Sequence, residues 1–419
     1  MALKKYNKYK PSGVEWLGEI PEHWKILPGL SFIYENKDRN KGMIRNTILS
    51  LSYGKIRVKG ENELTGLVPE SFETYQFVNK GDLIFRPTDL QNDTVSLRSS
   101  ISEYDGIITN AYLNLRFKSK ADSKFYHYFF RSIDNNKIIY GLGSGLRQNI
   151  SYLDFRRFSF PFPPKEEQTK ISNFLDDKTT KIDQAIAIKQ KQIELLKERR
   201  QILIHKAVTR GLSDNVKLKD SGVEWIGEIP VHWDVKRLKY VANLVSDKML
   251  SKGNPLNYIG MENIESWTGN YISTNSETEG LANYFKKGDI LFGKLRPYLA
   301  KVYLAKDEGI CTTEFLVYRN NKEIFNWYLH LLMLSFEFIN LIDSSTYGSK
   351  MPRANSDFIG NQLIPIPPKE EQTEIAEFIE TATTKIATAI SLKEQEIEKL
   401  KEYKMSLIDG VVTGKVRVC

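Results

Sequence analysis

The chain has 419 residues, which is too long for one compact core and suits two or three domains. Hydrophobic residues make up 41% and charged residues 27%, a balance that excludes a disordered, fibrous or membrane-spanning chain. The net charge of +8 is uneven, because residues 1–210 carry 35 basic and 24 acidic side chains whereas residues 211–419 carry 25 and 28. A basic balance is compatible with a polyanionic partner but does not by itself identify one.

The sequence gives no signal for export or membrane insertion. The first six residues contain no apolar run, and the most apolar stretch, residues 327–342, is interrupted by polar side chains and is too short to cross a bilayer. The two cysteines, Cys311 and Cys419, cannot build a disulfide framework or a zinc site. We therefore expect a cytoplasmic protein without a metal site.

Two copies of one pattern make up the chain. Residues 12–21, Ser-Gly-Val-Glu-Trp-Leu-Gly-Glu-Ile-Pro, recur with one substitution at residues 221–230, and a His-Trp pair follows each of them. The segment Pro-Pro-Lys-Glu-Glu-Gln-Thr at residues 163–169 returns unchanged at residues 367–373. Copies of about 205 residues are too long for solenoid repeats. Each copy is therefore a domain with a connector, and the molecule should have a pseudo-twofold axis.

The first part of each copy predicts an α+β domain. Short β-rich runs bounded by turn residues dominate it, such as residues 82–85 and 289–292, each of which follows a Lys-Gly pair. One helical segment interrupts these runs, near residues 125–131 in the first copy and near residues 325–340 in the second.

The second part of each copy predicts a long helix. Two prolines end the preceding strand, and Glu-Glu-Gln follows in the first turn, where acidic side chains suit the helix dipole. Apolar residues then recur at the spacing of a coiled-coil seam, and adding 204 to each position of the first helix gives an apolar position of the second. The predicted seam residues are Ile171, Leu175, Ile182, Ile186, Ile193, Leu196, Leu203 and Ala207, then Ile375, Ile379, Ile386, Ile390, Ile397, Leu400, Leu407 and Val411.

The two helices are predicted to bury their stripes against each other. A helix of this length rises about 60 Å, which is too long for one small domain to cover. A twofold relation makes the pairing antiparallel. Residues 166–207 carry 9 basic and 7 acidic side chains, whereas residues 370–411 carry 5 and 10, so charge favours pairing within one chain. Homodimerisation through either helix is the alternative.

Signatures of catalysis are weak or missing. Residues 140–145 resemble a glycine-rich cofactor loop, but no strand-to-helix unit surrounds them and the second copy lacks the pattern. The triplets at 176–178 and 402–404 resemble fragments of a nuclease site, but the chain contains no Pro-Asp dipeptide. It also contains no His-Glu-x-x-His, Walker or Asn-Pro-Pro-aromatic motif. The sequence therefore indicates a binding protein. The alternative is a fused enzyme whose catalytic segment matches none of these motifs.

The duplicated order of parts resembles one family. The Ser-Gly-Val-Glu-Trp opening, the β-rich domain and the Pro-Pro-x-x-Glu-Gln start of a long helix, each present twice, are similar to the DNA specificity subunit of type I restriction–modification systems. The resemblance runs from residue 12 to about residue 414. It implies target-recognition domains at 1–164 and 211–368, separated by two long antiparallel coiled-coil helices for spacing and docking at 165–210 and 369–414.

The same resemblance implies a non-catalytic subunit of a complex that methylates and restricts DNA. Such a subunit binds double-stranded DNA, reads a bipartite target with its two domains, and docks two methyltransferase subunits through its helices. Restriction and motor subunits complete the complex. S-adenosylmethionine, ATP and magnesium are expected on those partners, and no cofactor is expected on this chain. The alternative is a self-sufficient dimeric DNA-binding scaffold without methyltransferase partners.

Base-reading side chains are expected where the two copies differ most. In the first copy the predicted DNA-binding residues are Lys55, Arg57 and Lys59, which alternate on a strand-like run, then Arg86, Gln91, Asn92, Arg98, Arg147, Gln148 and Asn149. In the second copy they are Lys248, Lys252, Asn257, Lys294, Arg296, Tyr298, Lys350 and Arg353. Because residues 211–369 carry 18 basic and 18 acidic side chains, the second domain needs a local basic patch or phosphate contacts from partner subunits.

Several apolar residues lie beside the seam of the long helices and need a cover. They are predicted to dock the methyltransferase subunits, and they are Phe174, Ile188, Ile202, Phe378, Tyr403 and Met405.

Overall fold

A computed structural model describes residues 4–63, 71–92, 97–142, 149–274, 279–346, 348 and 350–418. Its contacts divide the chain into two compact units, of which the first is Met1–Lys189 with Gln395–Cys419 and the second is Gln190–Glu394. Each unit holds one globular domain together with the start of one long helix and the end of the other. The domain bounds predicted from the sequence keep the helices as separate segments, whereas these contacts group each half of a helix with one globular domain.

The domain of the first unit is built from short antiparallel strands. They are β1 Tyr9–Pro11, β2 Glu19–Pro21, β3 Lys25–Pro28, β4 Ile33–Glu35, β5 Leu49–Ser52, β6 Lys55–Val58, β7 Gln76–Val78, β8 Leu83–Phe85, β9 Ser99–Ile101, β10 Gly106–Ile108, β11 Leu113–Phe117 and β12 Ser159–Phe162. A four-stranded sheet has the order β4-β11-β8-β9, and the other strands pair two by two: β1 with β2, β3 with β12, β5 with β6 and β7 with β10.

The core of the first unit is rich in aromatic side chains. The domain also has helices α1 (Ser123–Asn135) and α2 (Tyr152–Arg157). Asp122 caps the start of α1, and its carboxylate accepts a hydrogen bond from the amide of Phe125 at 3.0 Å. Phe125 and Phe129 of α1 are fully buried. They pack in one cluster with aromatic residues of the strands and with side chains from the last turns of the C-terminal long helix.

The domain of the second unit repeats this plan with one larger sheet. Its strands are β13 Leu218–Asp220, β14 Glu228–Pro230, β15 Asp234–Arg237, β16 Ala242–Val245, β17 Lys248–Leu250, β18 Tyr258–Ile259, β19 Leu281–Phe285, β20 Ile290–Gly293, β21 Val302–Leu304, β22 Gly309–Thr312, β23 Phe315–Asn320 and β24 Leu363–Ile366. The order β16-β23-β20-β21 matches the four-stranded sheet of the first unit, and a second sheet has the order β17-β19-β22-β18. Two pairs, β13 with β14 and β15 with β24, complete the domain.

The helical segment predicted near residues 325–340 is two helices in the structure. The short helices of this unit are α4 Leu238–Val241, α5 Asn326–Met333, α6 Phe336–Ser344 and α7 Ser356–Asn361. The break falls at Ser335, whose backbone is extended and whose hydroxyl donates to the carbonyl of Leu332 at 2.7 Å. A serine hydroxyl that bonds the local backbone competes with the helical hydrogen bonds, which accounts for the break.

The two long helices are α3, Lys165–Arg210, and α8, Lys369–Val412. All predicted seam residues are buried or half-buried. In the first unit, Asp183 of α3 pairs with Lys404 of α8 at 2.7 Å, and Lys189 pairs with Glu396 at 2.5 Å. From the first pair to the second, the residue number rises along α3 and falls along α8, so the two helices run antiparallel in this unit. The seam is therefore covered within the chain, as intrachain pairing predicts.

The buried stripe is wider at the helix ends than a coiled-coil seam. Ile204 and Val208 at the end of α3 are fully buried, as is Ala376 near the start of α8, and Ile408 and Val412 at the end of α8 are buried as well. These positions lie beside the predicted seam and pack into the cores of the domains. A helix end that enters a globular core buries a broader face than a helix paired with one partner.

In the first unit, both long helices meet at Trp24, which is completely buried. The carboxylate of Glu167, in the first turn of α3, accepts hydrogen bonds from Trp24 Nε1 at 3.2 Å and from Tyr6 Oη at 2.6 Å, and lies 2.8 Å from His23 Nε2. Just past the end of α8, Gly414 has a φ of +79°, and a Cβ there would lie 3.0 Å from the Trp24 ring. The start of one helix and the end of the other are thus fixed at one indole.

The second unit repeats this junction at Trp233, which is also completely buried. Glu371, in the first turn of α8, accepts a hydrogen bond from Trp233 Nε1 at 2.9 Å and lies 2.6 Å from His232 Nε2. Just past the end of α3, Gly211 has a φ of +73°, and a Cβ there would lie 3.2 Å from the Trp233 ring. The His-Trp pairs and the repeated glutamates of the sequence are therefore parts of one structural device.

The repeated glutamine beside each of these glutamates is fully buried. Gln168 accepts a hydrogen bond from the amide of Asp122 and donates one to the carbonyl of Pro163, both at 2.8 Å. Gln372 likewise accepts from the amide of Phe325 at 2.6 Å and donates to the carbonyl of Pro367 at 2.8 Å. Each glutamine thus ties the start of a long helix to the segment that leads into the adjacent short helix.

The α+β class predicted from the sequence is confirmed, with the same four-stranded sheet order and the same helix junction in both units. Among the described residues, none of the helices combines the length and the apolar character that a bilayer crossing requires.

We predict that Gln168→Ala lowers the free energy of unfolding by about 2 kcal/mol, because it leaves an amide and a carbonyl group without their partner. Urea unfolding monitored by circular dichroism measures the change. Gln192→Ala is the matched control, since Gln192 is an exposed glutamine on the same helix. Equal stability of the two variants would contradict the role assigned to Gln168.

Candidate nucleic-acid interface

Two segments of the first domain that are distant in sequence meet in the structure. We call them loop pair one, residues 86–92 after β8 and residues 149–151 before α2. The amide of Ile150 donates to the carbonyl of Pro87 at 2.9 Å. Loop pair one carries four of the predicted DNA-binding residues, of which Gln91, Asn92 and Asn149 are exposed and Arg86 is half-buried. Arg147 and Gln148 lie outside the described residues.

Side-chain hydrogen bonds shape loop pair one. Asn149 Oδ1 accepts from the amide of Asp89 at 3.2 Å, and Asn92 donates to the carboxylate of Asp89 at 2.8 Å. Asp89 has a φ of +63°, an uncommon conformation that aspartate tolerates better than most residues. The polar side chains are therefore held in place rather than left free on a loose loop.

Arg98 is a correction to the predicted set. Its side chain is fully buried, and its guanidinium donates to the carbonyl oxygens of Thr88 at 2.7 Å and Asp89 at 3.1 Å. The carboxylate of Asp134 accepts from the Arg98 amide at 2.9 Å. A buried guanidinium that binds loop carbonyls cannot reach a phosphate or a base. Arg98 supports loop pair one from beneath, and sequence alone does not reveal the burial of a single arginine.

The predicted run at residues 55–59 forms one strand of the β5–β6 hairpin. Lys55 and Arg57 are exposed and share one face, as predicted, while Ile56 points to the core. Arg57 pairs with Glu63 at 3.1 Å. Lys59 follows the end of the strand and is half-buried. The hairpin therefore presents Lys55 and the Arg57–Glu63 ion pair on its outer face.

The second domain holds an equivalent arrangement, which we call loop pair two: residues 294–298 after β20 and residues 350–354 before α7. The amide of Ala354 donates to the carbonyl of Lys294 at 2.8 Å, which joins the two segments. Loop pair two occupies the same place in its domain as loop pair one, between the end of the matching strand and the start of the matching short helix.

Loop pair two concentrates positive charge in a domain whose total charge is balanced. Arg296, Lys350 and Arg353 are exposed, and Lys294 is half-buried. Arg353 forms a bidentate pair with Glu314, at 3.1 and 3.2 Å. This cluster is a candidate for the local basic patch predicted for the second domain, and phosphate contacts from partner subunits stay the alternative. Tyr298 lies in the same loop pair and is 45% exposed.

The remaining predicted residues of the second domain lie on β17 or in the segment that follows it. Lys248 is exposed on β17, and Lys252 pairs with Glu279 at 2.8 Å. Asn257 is exposed, and its carbonyl accepts from the amide of Ile310 at 3.0 Å. Lys248 lies on β17, and Lys252 and Asn257 lie in the segment between β17 and β18, so none of the three belongs to loop pair two. Their part in DNA binding stays a prediction.

Two exposed features of the structure were missed in the sequence, one on the first domain and one on the long helices. The first is Tyr53, which occupies the tip of the β5–β6 hairpin and is 98% exposed. The Tyr-Gly pair between two strand-like runs was a signal for such a turn. The second is the pair Leu195 and Leu392, which are 51% and 56% exposed on the long helices. Leu195 lies one heptad after Ile188, and Leu392 is the position equivalent to Ile188 in α8.

Asp176 and Lys404, one residue from each triplet that resembled a nuclease fragment, have partners in the structure. Lys404 pairs with Asp183 at 2.7 Å. Asp176 accepts hydrogen bonds from Tyr128 at 2.8 Å and from Lys124 at 2.6 Å.

The histidine His330 is buried and contacts the backbone. Burial lowers the pKa of His330 to about 4, so this histidine is neutral at neutral pH, and its Nε2 lies 3.1 Å from the carbonyl of Val302. Within the described ranges, no three His, Cys, Asp or Glu side chains lie close enough together to hold a metal ion.

A family profile described as the type I restriction modification DNA specificity domain matches residues 33–198 and again residues 230–402. The chain belongs to this family. The two matches cover most of the sequence and correspond to its two copies, so the resemblance predicted from the repeats is confirmed.

Specificity subunits of type I restriction enzymes are among the similar proteins. The MjaVIII subunit of Methanocaldococcus jannaschii is 26% identical over 332 residues, 75% of each chain. The EcoDI subunit of Escherichia coli is 27% identical over 264 residues, 57% of this chain and 58% of that one. The putative MjaX subunit of M. jannaschii is 24% identical over 448 aligned residues, 96% of each chain.

Two solved structures share the fold. A structure from work on complex assembly and conformational transition of the type I R-M system has a TM-score of 0.69 at 14% identity and covers 94% of this chain and 98% of that one. The HsdS subunit from Thermoanaerobacter tengcongensis has a TM-score of 0.53 at 13% identity and covers 95% and 98%.

We predict that Lys350→Ala weakens binding to duplex DNA of random sequence and lowers the slope of log K against log salt by about 1, because one phosphate contact is lost. Fluorescence anisotropy at several KCl concentrations measures the slope. Lys287→Ala is the control, because Lys287 is an exposed lysine that precedes the start of β20, whereas loop pair two follows its end. This variant should leave the slope unchanged. Identical slopes for both variants would remove Lys350 from the interface.

Proposed function

We propose that each domain reads one half of a two-part duplex DNA target, the first with loop pair one and the β5–β6 hairpin, the second with loop pair two. One observation carries this proposal. Polar and basic segments that are distant in sequence meet at the same place in both domains, and they differ between the copies while the framework residues are repeated. Lysine and arginine side chains there fix the register on phosphates, and amide and guanidinium groups read base edges.

The chemistry in this proposal belongs to partner subunits. A methyltransferase subunit supplies S-adenosylmethionine and methyl transfer, and restriction subunits supply ATP- and magnesium-dependent steps. The residues that are repeated between the copies support this division. Glu167, Gln168, Glu371 and Gln372 have structural roles at the helix junctions. The sequence also lacks the methyltransferase and Walker motifs named above.

The long helices are the proposed docking surface for two methyltransferase subunits. Ile188, Leu195 and Ile202 recur at seven-residue intervals on α3 and are 59%, 51% and 59% exposed. The positions equivalent to Ile188 and Phe174 in α8 are Leu392 and Phe378, which are 56% and 43% exposed. Exposed apolar side chains on a helix that already buries its seam need a second cover. Equivalent patches on two helices fit a partner present in two copies.

The exposure of the other predicted docking residues is mixed. Tyr403 and Met405 are exposed, at 49% and 44%, whereas Phe174 is half-buried and packs against the core of the first unit. Phe174 therefore contributes less free surface to docking than the rest.

Expression of the chain with and without a type I methyltransferase subunit tests the function. We expect no methyl transfer by the chain alone, and adenine methylation at one two-part motif when both subunits are present. Methylation mapping of the host genome identifies the motif. Methyl transfer by the purified chain alone would contradict the assignment of catalysis to partners. Tight, sequence-specific binding by a dimer of the chain alone would favour the scaffold alternative.

A charged residue at the exposed stripe should weaken docking without unfolding the helices. We predict that Ile188→Lys reduces co-purification with the methyltransferase subunit about tenfold, because an apolar contact is replaced by a buried charge. Gln190→Lys adds the same charge two positions away, on a different face of α3, and should have little effect. Full co-purification of the Ile188 variant would place docking elsewhere on the chain.

A further inference from the structure

The turn of the β5–β6 hairpin has an unusual composition. Strands β5 and β6 are joined by two residues, Tyr53 and Gly54, with φ angles of +48° and +69°. Two positive φ angles define a type I′ turn, for which glycine, asparagine and aspartate are the favoured residues. Gly54 fits this rule. A bulky tyrosine at the first turn position does not, and it is held in a conformation that most residues avoid.

Packing does not account for this tyrosine. The side chain of Tyr53 is 98% exposed, so it covers no core surface and gains nothing from burial in the free chain. A residue that combines an unfavourable backbone conformation with an exposed aromatic ring departs from two local rules at once. Such departures in natural proteins are concentrated at functional sites.

The hairpin that carries Tyr53 is anchored at its base and at its tip. At the base, Leu49 and Ile56 are buried in a small apolar cluster with residues of three other strands. At the tip, the guanidinium of Arg131 on α1 donates a hydrogen bond to the carbonyl of Gly54. A Cβ at Gly54 would lie 2.7 Å from Leu97 Cβ, so the turn packs tightly there. The ring of Tyr53 therefore projects from a rigid support.

The outer face of the hairpin is suited to a polyanion. Lys55 and Arg57 are exposed on it, opposite Ser52 and the buried Ser50 in the register of the two strands, and Arg57 also pairs with Glu63 at 3.1 Å. A two-stranded ribbon fits the major groove of duplex DNA, where cations beside the tip can contact phosphates. An aromatic ring at the tip can pack against the methyl group of thymine, and its hydroxyl can hydrogen-bond to a base edge.

We propose that Tyr53 is a specificity-determining residue that contacts bases of the first half-site in the major groove, with Arg131 and Gly54 as positioning residues for the hairpin. This inference rests on the proposed function and deepens it. Tyr53 lies outside loop pair one, so the first domain then contacts bases at two places. Contact with a base accounts for a tyrosine at a positive φ angle in this turn.

Three variants of the full chain, each expressed with its methyltransferase subunit, test the inference. Tyr53→Ala removes the ring, Tyr53→Phe removes only the hydroxyl, and Tyr53→Asn installs a residue that suits the positive φ angle. Tyr104→Ala is the matched control, because Tyr104 is an exposed tyrosine of the same domain that follows the end of β9, whereas the hairpin turn packs near Leu97, which precedes β9. Methylation mapping reports the motif, and fluorescence anisotropy with a duplex containing that motif reports affinity.

We expect Tyr53→Ala and Tyr53→Asn to bind the duplex about tenfold more weakly and to accept other bases at one or two positions of one half-site. The other half-site should be unchanged, and Tyr53→Phe should retain part of the preference. Tyr53→Asn should unfold at a temperature equal to or above that of the wild type, since asparagine suits the turn. Loss of specificity together with retained stability is a combination that a merely structural residue would not produce.

Other outcomes would overturn the inference. An unchanged motif with unchanged affinity in Tyr53→Ala and Tyr53→Asn would do so while leaving the proposed function intact. The same holds for a uniform loss of methylation without altered base preference, and for reduced co-purification with the methyltransferase, which would make the tip a protein contact. If the wild-type complex methylates no two-part motif, the proposed function fails and this inference fails with it.

Discussion

In each unit, one buried tryptophan contacts the start of one long helix and the residue that follows the end of the other, and the placement of both helices depends on these contacts. The indole of Trp24 donates to the first turn of α3 and packs against the glycine that follows α8, and Trp233 does the same for α8 and α3. Because each indole fixes the start of one helix and the end of the other, the apolar stripes of the two helices face a common core in each unit. The antiparallel pairing in the first unit, the widened stripe at the helix ends and the division of each helix between two cores follow from this geometry.

Repetition and divergence separate two kinds of residue in this chain. The repeated residues make framework contacts, and the ion pairs Asp82–Arg116 and Asp289–Arg319, at 3.0 and 2.7 Å, occupy equivalent places in the two sheets. The loop pairs attached to the ends of β8 and β20 are different in length and composition. A protein that must recognise two unlike DNA segments needs this separation, since base contacts can then change without loss of the fold.

The sequence was most informative where periodicity and repetition constrain it. The seam of the long helices could be predicted because two copies share the same apolar spacing, and the strand at Asp289 because its pattern matched that at Asp82. Features that depend on tertiary packing could not. The sequence around Arg98 does not distinguish a buried arginine that binds loop carbonyls from an exposed one. The break at Ser335 depends on a local hydrogen bond of the serine hydroxyl. The meeting of each loop pair joins segments more than fifty residues apart, which no local pattern reports.

The composition of the two units sets an order in which the chain can be completed during synthesis. The second unit is one continuous stretch, Gln190–Glu394, whereas the core of the first includes Leu407 and Val411. A ribosome therefore delivers the whole second unit before the last segment of the first has been made. The domain translated first is finished last, and until α8 emerges the side of its core around Trp24 lacks the cover that the mature chain provides.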